Sequence, residues 1–230
     1  MILTEVAPVW IRICLILVLV SGGFLLSSRS LKNLVRTYQF QSFLLVLIAL
    51  GLVVLEEHTI LLLVAALTVV SKVWGIPACI RLIQERIHIQ QDLKFSYLRP
   101  PGALMLSILI ILLVYVCFAQ ILESLYAASS LFFLGSVIGV SLVLMGLLAV
   151  CIRRMAISKV IGYLSMENGV LAFGLFVTEL PFFIEFVIVI DLIILVLLTS
   201  IMTVGIDSSI EEYKSRLEEF HLLSEEGGIA

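Results

Sequence analysis

Three ionisable residues stand where the surrounding sequence makes a charge expensive. Lys72 lies near the middle of a long apolar run, about twelve residues from either end; Glu167 sits within Gly162-Tyr163-Leu164-Ser165-Met166-Glu167-Asn168-Gly169; Asp191 lies a third of the way into the last apolar run, with Glu185 two turns before it. Placing a charged group at the centre of a bilayer costs roughly 2.5–3.5 kcal/mol on insertion scales. Two chemistries account for such residues. One is a proton relay, because desolvation moves carboxylate and ammonium groups toward neutrality, where they exchange protons. The other is a neutralising ion pair, although buried pairs are often no more stable than apolar residues of the same volume. Glu185 is close enough to the end of its run to reach lipid headgroups instead. Ser165, Tyr163 and Asn168 flank Glu167 as hydrogen-bond or water partners, and Gln39, Gln41 and Ser42 either hold water in such a path or mark a polar helix entrance.

The elements that carry these residues follow from composition. Of 230 residues, 62% are hydrophobic and 13% charged, with a mean hydropathy of +1.23. A soluble domain has roughly 45–50% apolar and about 25% charged residues. The chain is therefore expected to be an all-α, polytopic membrane protein. Seven apolar stretches, at about 6–27, 39–56, 60–82, 102–122, 130–151, 158–178 and 183–205, each approach the length that crosses about 30 Å of hydrocarbon. The first lacks a basic leader and is too long for a signal peptide's apolar core, so it is read as a span.

Lysine and arginine orient these spans. Arg29, Lys32 and Arg36 follow the first; Arg81, Arg86, Lys94 and Arg99 the third; Arg153, Arg154 and Lys159 the fifth; Lys214 and Arg216 the seventh. The opposite side receives Glu5, Glu56, Glu57, His58, Glu123 and Glu179, with no lysine or arginine. This positive-inside pattern places the N-terminus outside and the C-terminus in the cytoplasm. Arg12 is near enough to the outer end of its span to snorkel.

The loop before Pro100-Pro101-Gly102 is the longest polar connection and separates the chain into parts. Residues 1–101 form a three-helix unit with its cytoplasmic loop, 102–129 a linking helix, 130–206 a second three-helix unit, and 207–230 an acidic tail. The two units share their direction and a basic turn after the first helix, so a parallel duplication is one reading. In the tail, seven acids oppose Lys214 and Arg216. Ser208-x-x-Glu211 and Ser209-x-x-Glu212 are capping-box patterns, and Ile210, Tyr213, Leu217 and Phe220 make one helical stripe.

Other chemistry is thin. Cys14, Cys79, Cys117 and Cys151 have no metal or disulfide spacing, and His58, His88 and His221 fall in connections, so no cofactor and no metal centre is expected. There is no P-loop, no H-E-x-x-H and no G-x-S-x-G, which argues against an autonomous ATPase or hydrolase. No nucleic-acid partner is expected. Gly162, Gly169 and Gly174 form a small-residue face suited to close packing. In Lys72-Val73-Trp74-Gly75-Ile76-Pro77, the proline should loosen the helix and free a carbonyl for water or an ammonium, as part of an ion path or as a simple kink.

Taken together, the segments Lys159-x-Ile161-Gly162-Tyr163-x-x-Met166-Glu167-Asn168-Gly169, Pro181-x3-Glu185-x5-Asp191, Tyr38-Gln39-x-Gln41-Ser42 and Lys72-x4-Pro77 resemble the component E subunits of the hydrogenase-4 family (HyfE). The C-terminal part of that family is similar to the NuoK subunit of respiratory complex I. The resemblance covers most of the apolar chain, and its implied fold is seven transmembrane helices with a NuoK-like three-helix unit at the C-terminal end. Arg153 and Arg154 match NuoK's paired arginines on the cytoplasmic turn. The NuoK glutamate would fall at Leu164, with the acid here one helical turn later at Glu167; the second NuoK glutamate has Asp191 as counterpart and Glu185 as alternative. What the resemblance implies is a metal-free subunit in the inner membrane of a prokaryote. Its partners would be antiporter-like membrane subunits and cytoplasmic iron-sulfur, hydrogenase-like subunits, and Glu167, Lys72, Asp191 and Glu185 would lie on a proton or sodium path. A free-standing secondary transporter with a charged midplane site is the competing expectation.

Overall fold

The computed structural model describes residues 2–56, 60–78, 80, 99–122, 130–153, 156–177 and 193. The chain divides into two compact units, Met1–Val189 and Ile190–Ala230, and the architecture below is that of the first. Its described residues form α1 (Ile2–Ser27), α2 (Leu31–Glu56), α3 (Ile60–Thr68) continuing into a π-helical segment (Val69–Gly75), α4 (Pro100–Leu122), α5 (Ser130–Ile152) and α6 (Ala156–Val177).

The protein is an all-α, multi-pass membrane protein. Among the described residues five stretches are long and apolar enough to cross a membrane: Ala7–Ser27, Leu31–Leu55, Leu61–Ala78, Pro100–Gln120 and Leu131–Ile152. They coincide with the first five expected spans. The sixth expected span falls on α6, which has the length but is not among the five. The seventh, and with it Glu185, Asp191 and the acidic tail, lies outside the described residues.

One boundary differs in a way that matters. The second helix starts at Leu31, eight residues before the expected 39, because Ser30 caps it: the Asn33 backbone N–H donates to Ser30 Oγ at 3.3 Å. The polar stretch Lys32–Ser42 lowers local hydropathy without breaking the helix. Gln41 and Ser42 therefore stand ten and eleven residues inside α2, about 15 Å along its axis. They are not an entrance.

Packing is polar inside and apolar outside. Ile11, Leu15, Ile48, Leu142, Ala172 and Phe176 belong to a core contributed by α1, α2, α5 and α6, while Trp10, Phe24, Phe40, Met105, Ile108 and Leu112 are exposed. Buried with that core side are Gln41, Ser42, Lys72, Glu167 and Asn168. An exposed apolar surface around buried charge is what a lipid solvent selects.

Two hairpins set the centre. α1 turns into α2 through residues 28–30, and α5 ends at Ile152 shortly before α6 begins at Ala156; α1 packs on α5, and α2 packs on α6. The second helices of the two hairpins thus meet. Ser42 is the eleventh residue after Leu31, and Glu167 the eleventh after Ala156, so polar residues of both helices arrive at one depth.

The α5–α6 pair is the tightest, and glycine makes it so. A Cβ on Gly139 would stand 2.6 Å from the Phe173 backbone nitrogen, and one on Gly169 would stand 2.5 Å from that of Val143; Gly146 is pressed against the Met166 backbone in the same way. Of the expected small-residue face, Gly162 and Gly169 do meet α5. Their counterparts on α5 were not part of that reading.

Candidate functional site

The close α5–α6 contact fixes which side of α6 faces the polar centre. Met166, Gly169 and Phe173 meet α5, and at 100° per residue Leu164, Glu167 and Asn168 point away from it. All three are buried, and α2 is the neighbour there. Asn168 Nδ2 donates to Gln41 Oε1 at 3.1 Å and to Ser42 Oγ at 3.0 Å, joining α6 to α2. Asn168 Oδ1 and Gln41 Nε2 have no hydrogen-bond partner among the described residues. A fork of this type fixes the side-chain orientation of both helices at mid-depth.

Lys72 comes from the π-helical segment, which also packs on α2. It is wholly buried, and its Nζ lies 3.7 Å from Glu167 Oε1, whose side chain is 7% exposed. That separation is an ion pair, longer than the 2.7–2.9 Å of a charge-assisted hydrogen bond. Neither carboxylate oxygen of Glu167 accepts a hydrogen bond among the described residues. The carboxylate is thus neutralised by charge while its lone pairs stay available to water or a proton.

The backbone under Lys72 is not α-helical. From Val69 to Gly75 the ladder widens, with the Ile76 N–H reaching Ser71 O, five residues back, and Ser71 Oγ bonding Leu67 O at 2.8 Å near the start of the widened turn. Single π turns of this kind are frequent at functional sites. Pro77 has no N–H to offer the Val73 carbonyl four residues before it. Gln39 Nε2 donates to that carbonyl at 2.8 Å. The Val73 carbonyl thus has a side-chain amide of α2 as its partner.

The sequence-derived set divides accordingly. Lys72, Glu167, Asn168, Gln39 and Gln41 converge around the middle of α2, and Ser165 is buried on α6. Tyr163 is 42% exposed and faces out, so it is no neighbour of the cluster. Asp191, Glu185 and Arg154 lie outside the described residues. Arg153 does more than mark a basic turn. It is buried, and Nη2 donates to the carbonyls of Leu25 at 2.7 Å and Leu26 at 3.4 Å, at the C-terminal end of α1. A cation on those terminal carbonyls complements the helix dipole. Burial lowers its pKa to about 10, so it remains charged at neutral pH.

Among the described residues no group of three or more histidine, cysteine, aspartate or glutamate side chains could hold a metal ion. What the site can do is hold and exchange positive charge at the middle of a helical bundle. These features define a multi-pass membrane protein with a buried acid–base pair beside a hydrogen-bonded cluster contributed by three helical elements. Comparison with protein-family models, curated proteins and solved structures finds no match.

Proposed function

We propose that this protein is an integral subunit of a complex I-like, energy-converting redox complex of the hydrogenase-4 or formate hydrogenlyase type. In that role it contributes Lys72 and Glu167 to a lateral ion path. The observation that carries this reading is the Lys72–Glu167 pair, buried at 3.7 Å beside the Asn168–Gln41–Ser42 fork. A pair kept only for stability has little advantage over apolar side chains of the same volume. A carboxylate with no hydrogen bond among the described residues is suited to taking up a proton and passing it on. The resemblance of the Lys159–Gly169 segment and the Pro181–Asp191 segment to HyfE and NuoK supports the same role and adds Asp191 and Glu185 to the path. Redox chemistry then belongs to cytoplasmic iron-sulfur, hydrogenase-like partners, and antiporter-like subunits lie beside this one in the prokaryotic inner membrane. The full topology in this proposal is seven spans, N-terminus outside and C-terminus in the cytoplasm, with a NuoK-like unit at 130–206.

The π segment at Val69–Gly75 favours a second reading, a free-standing secondary transporter whose substrate site is an interrupted helix at the midplane. Purification in mild detergent followed by mass spectrometry separates the two. Co-elution with antiporter-like and iron-sulfur subunits supports the complex; a lone oligomer of this chain supports the transporter and overturns the first proposal.

A further inference from the structure

Lys72 is placed where a free cation would otherwise bind. The site offers three buried oxygen atoms with no hydrogen-bond partner among the described residues: both oxygens of Glu167 and Oδ1 of Asn168, on adjacent residues of α6. Buried donors of this kind, a carboxylate and a neighbouring amide carbonyl, are the type that suits a hard monovalent cation that sheds most of its hydration shell. Into this set the protein brings its own positive charge, 3.7 Å from Oε1, on a side chain with no solvent exposure. The ammonium is shielded from water, because its side chain is wholly buried and the turn that bears it is held by the Gln39–Val73 bond.

We propose that Lys72 is a specificity-determining residue: a tethered cation that occupies the Glu167–Asn168 site, excludes sodium from it and leaves the proton as the only ion it exchanges. The inference rests on the reading of this cluster as an ion path and names the ion. A sodium ion entering beside a buried ammonium would place two like charges within a few ångströms in a medium of low dielectric, with one described carboxylate to balance both. A proton binds differently. It neutralises the carboxylate by forming an O–H bond and needs no coordination shell, so the ammonium beside it is no steric obstacle. Replacing Lys72 by a neutral residue of similar length removes the resident charge and leaves the oxygen donors in place.

The test uses the purified full chain in lipid nanodiscs, with sodium chloride compared against choline chloride at equal ionic strength. Two readouts are taken: the melting temperature, and the rate at which a hydrophobic carbodiimide modifies Glu167, followed by peptide mass spectrometry. In the wild type neither should respond to sodium. In Lys72→Gln, sodium should raise the melting temperature and slow modification, by roughly 100-fold at a hundred times its dissociation constant. Lys72→Gln with Glu167→Gln should lose the thermal response. Lys72→Met takes the place of Lys72→Gln if the latter does not fold. A wild-type protein that responds to sodium overturns the inference, as does a folded neutral variant that does not. Neither readout needs redox partners, so failure of the proposed complex would leave this result standing. A sodium-responsive wild type would in turn overturn proton selectivity without removing Glu167 from the path.

Discussion

The Gln39 side-chain amide donates to the Val73 carbonyl at 2.8 Å, across the gap between α2 and the π turn that carries Lys72. Pro77 brings no N–H that an α-helical ladder would give the Val73 carbonyl, which makes the side-chain bond its expected substitute. Gln39→Leu should therefore leave a carbonyl without a partner and destabilise the protein by about 1–3 kcal/mol. Pro77→Ala supplies the missing N–H. The double variant Gln39→Leu with Pro77→Ala should recover much of the loss in a thermal or denaturant unfolding assay, and strict additivity of the two changes would show that the bond does not serve this purpose.

Close approach of α5 and α6 decides where Glu167 points, and its weak point is the glycine backbone contact. Gly146→Ala and Gly139→Ala each force a methyl into the main chain of α6, against Met166 and Phe173, and should cost about 1–3 kcal/mol. Gly22→Ala is the control. Its Cβ would meet the ends of Leu142 and Met145, at 2.9 Å and 3.1 Å, and both side chains can turn aside. Unfolding measurements in one detergent should rank Gly22→Ala clearly above the other two.

How much of this was legible beforehand depends on which force set each feature. Lys72 and Glu167 could be singled out from sequence because a charge in an apolar run is costly wherever the helix turns. That they pair with each other, with Asn168 bridging to Gln41 and Ser42, depends on helix rotation and neighbour choice, which hydropathy does not encode. The start of α2 was misplaced by eight residues because span boundaries follow apolarity, whereas a helix follows capping and hydrogen bonds. Tyr163 looked like a partner of Glu167 by proximity in sequence, yet the rotation about α6 puts it outside. The Gly139 and Gly146 contacts did have a signal, a seven-residue repeat of small residues on α5, and it would have found the packing partner of Gly162 and Gly169. The Arg153 cap on α1 had none, since it joins residues 128 apart.

Arg153 holds two carbonyls of α1 from the far end of α5, so truncating it should loosen the C-terminal ends of both helices. Arg153→Met keeps the apolar stem and removes the charged donor; it gives up hydrogen bonds worth about 1.5–3 kcal/mol but relieves the burial penalty on the charge, so the net loss should be smaller than that. The pH dependence has a definite sign. The folded pKa of about 10 is below the usual arginine value, so folding disfavours the charged form. That penalty is fully present at every pH below about 10 and fades only as pH rises above it. Unfolding curves of wild type and Arg153→Met should therefore differ by a constant amount between pH 6 and pH 9 (conditions chosen about the neutral range). A difference that varied across that range would point to a different titrating partner.

Glu167 carries the largest functional expectation, and its partner makes the test sharp. Removing one member of a buried pair leaves the other charge uncompensated, typically at a cost of about 3–5 kcal/mol, whereas removing both is far milder. Glu167→Gln alone would therefore confound lost stability with lost proton transfer. Glu167→Gln with Lys72→Met separates them: it should restore assembly and thermal stability toward wild type while leaving ion translocation absent. Glu167→Asp should retain partial translocation, since the titratable group survives on a shorter stem. Moving the acid one turn, as Leu164→Glu with Glu167→Gln, should restore part of the activity. Leu164 is wholly buried on the same side of α6, and three residues shift the carboxylate by about 4.5 Å along the axis, within reach of the long Lys72 side chain. For the proposed role, the measurement is electron-transfer-driven ion translocation by the proposed complex, reconstituted in sealed vesicles. Full coupling in an assembled Glu167→Gln protein would reject the relay and reduce the pair to a structural neutralisation of Lys72.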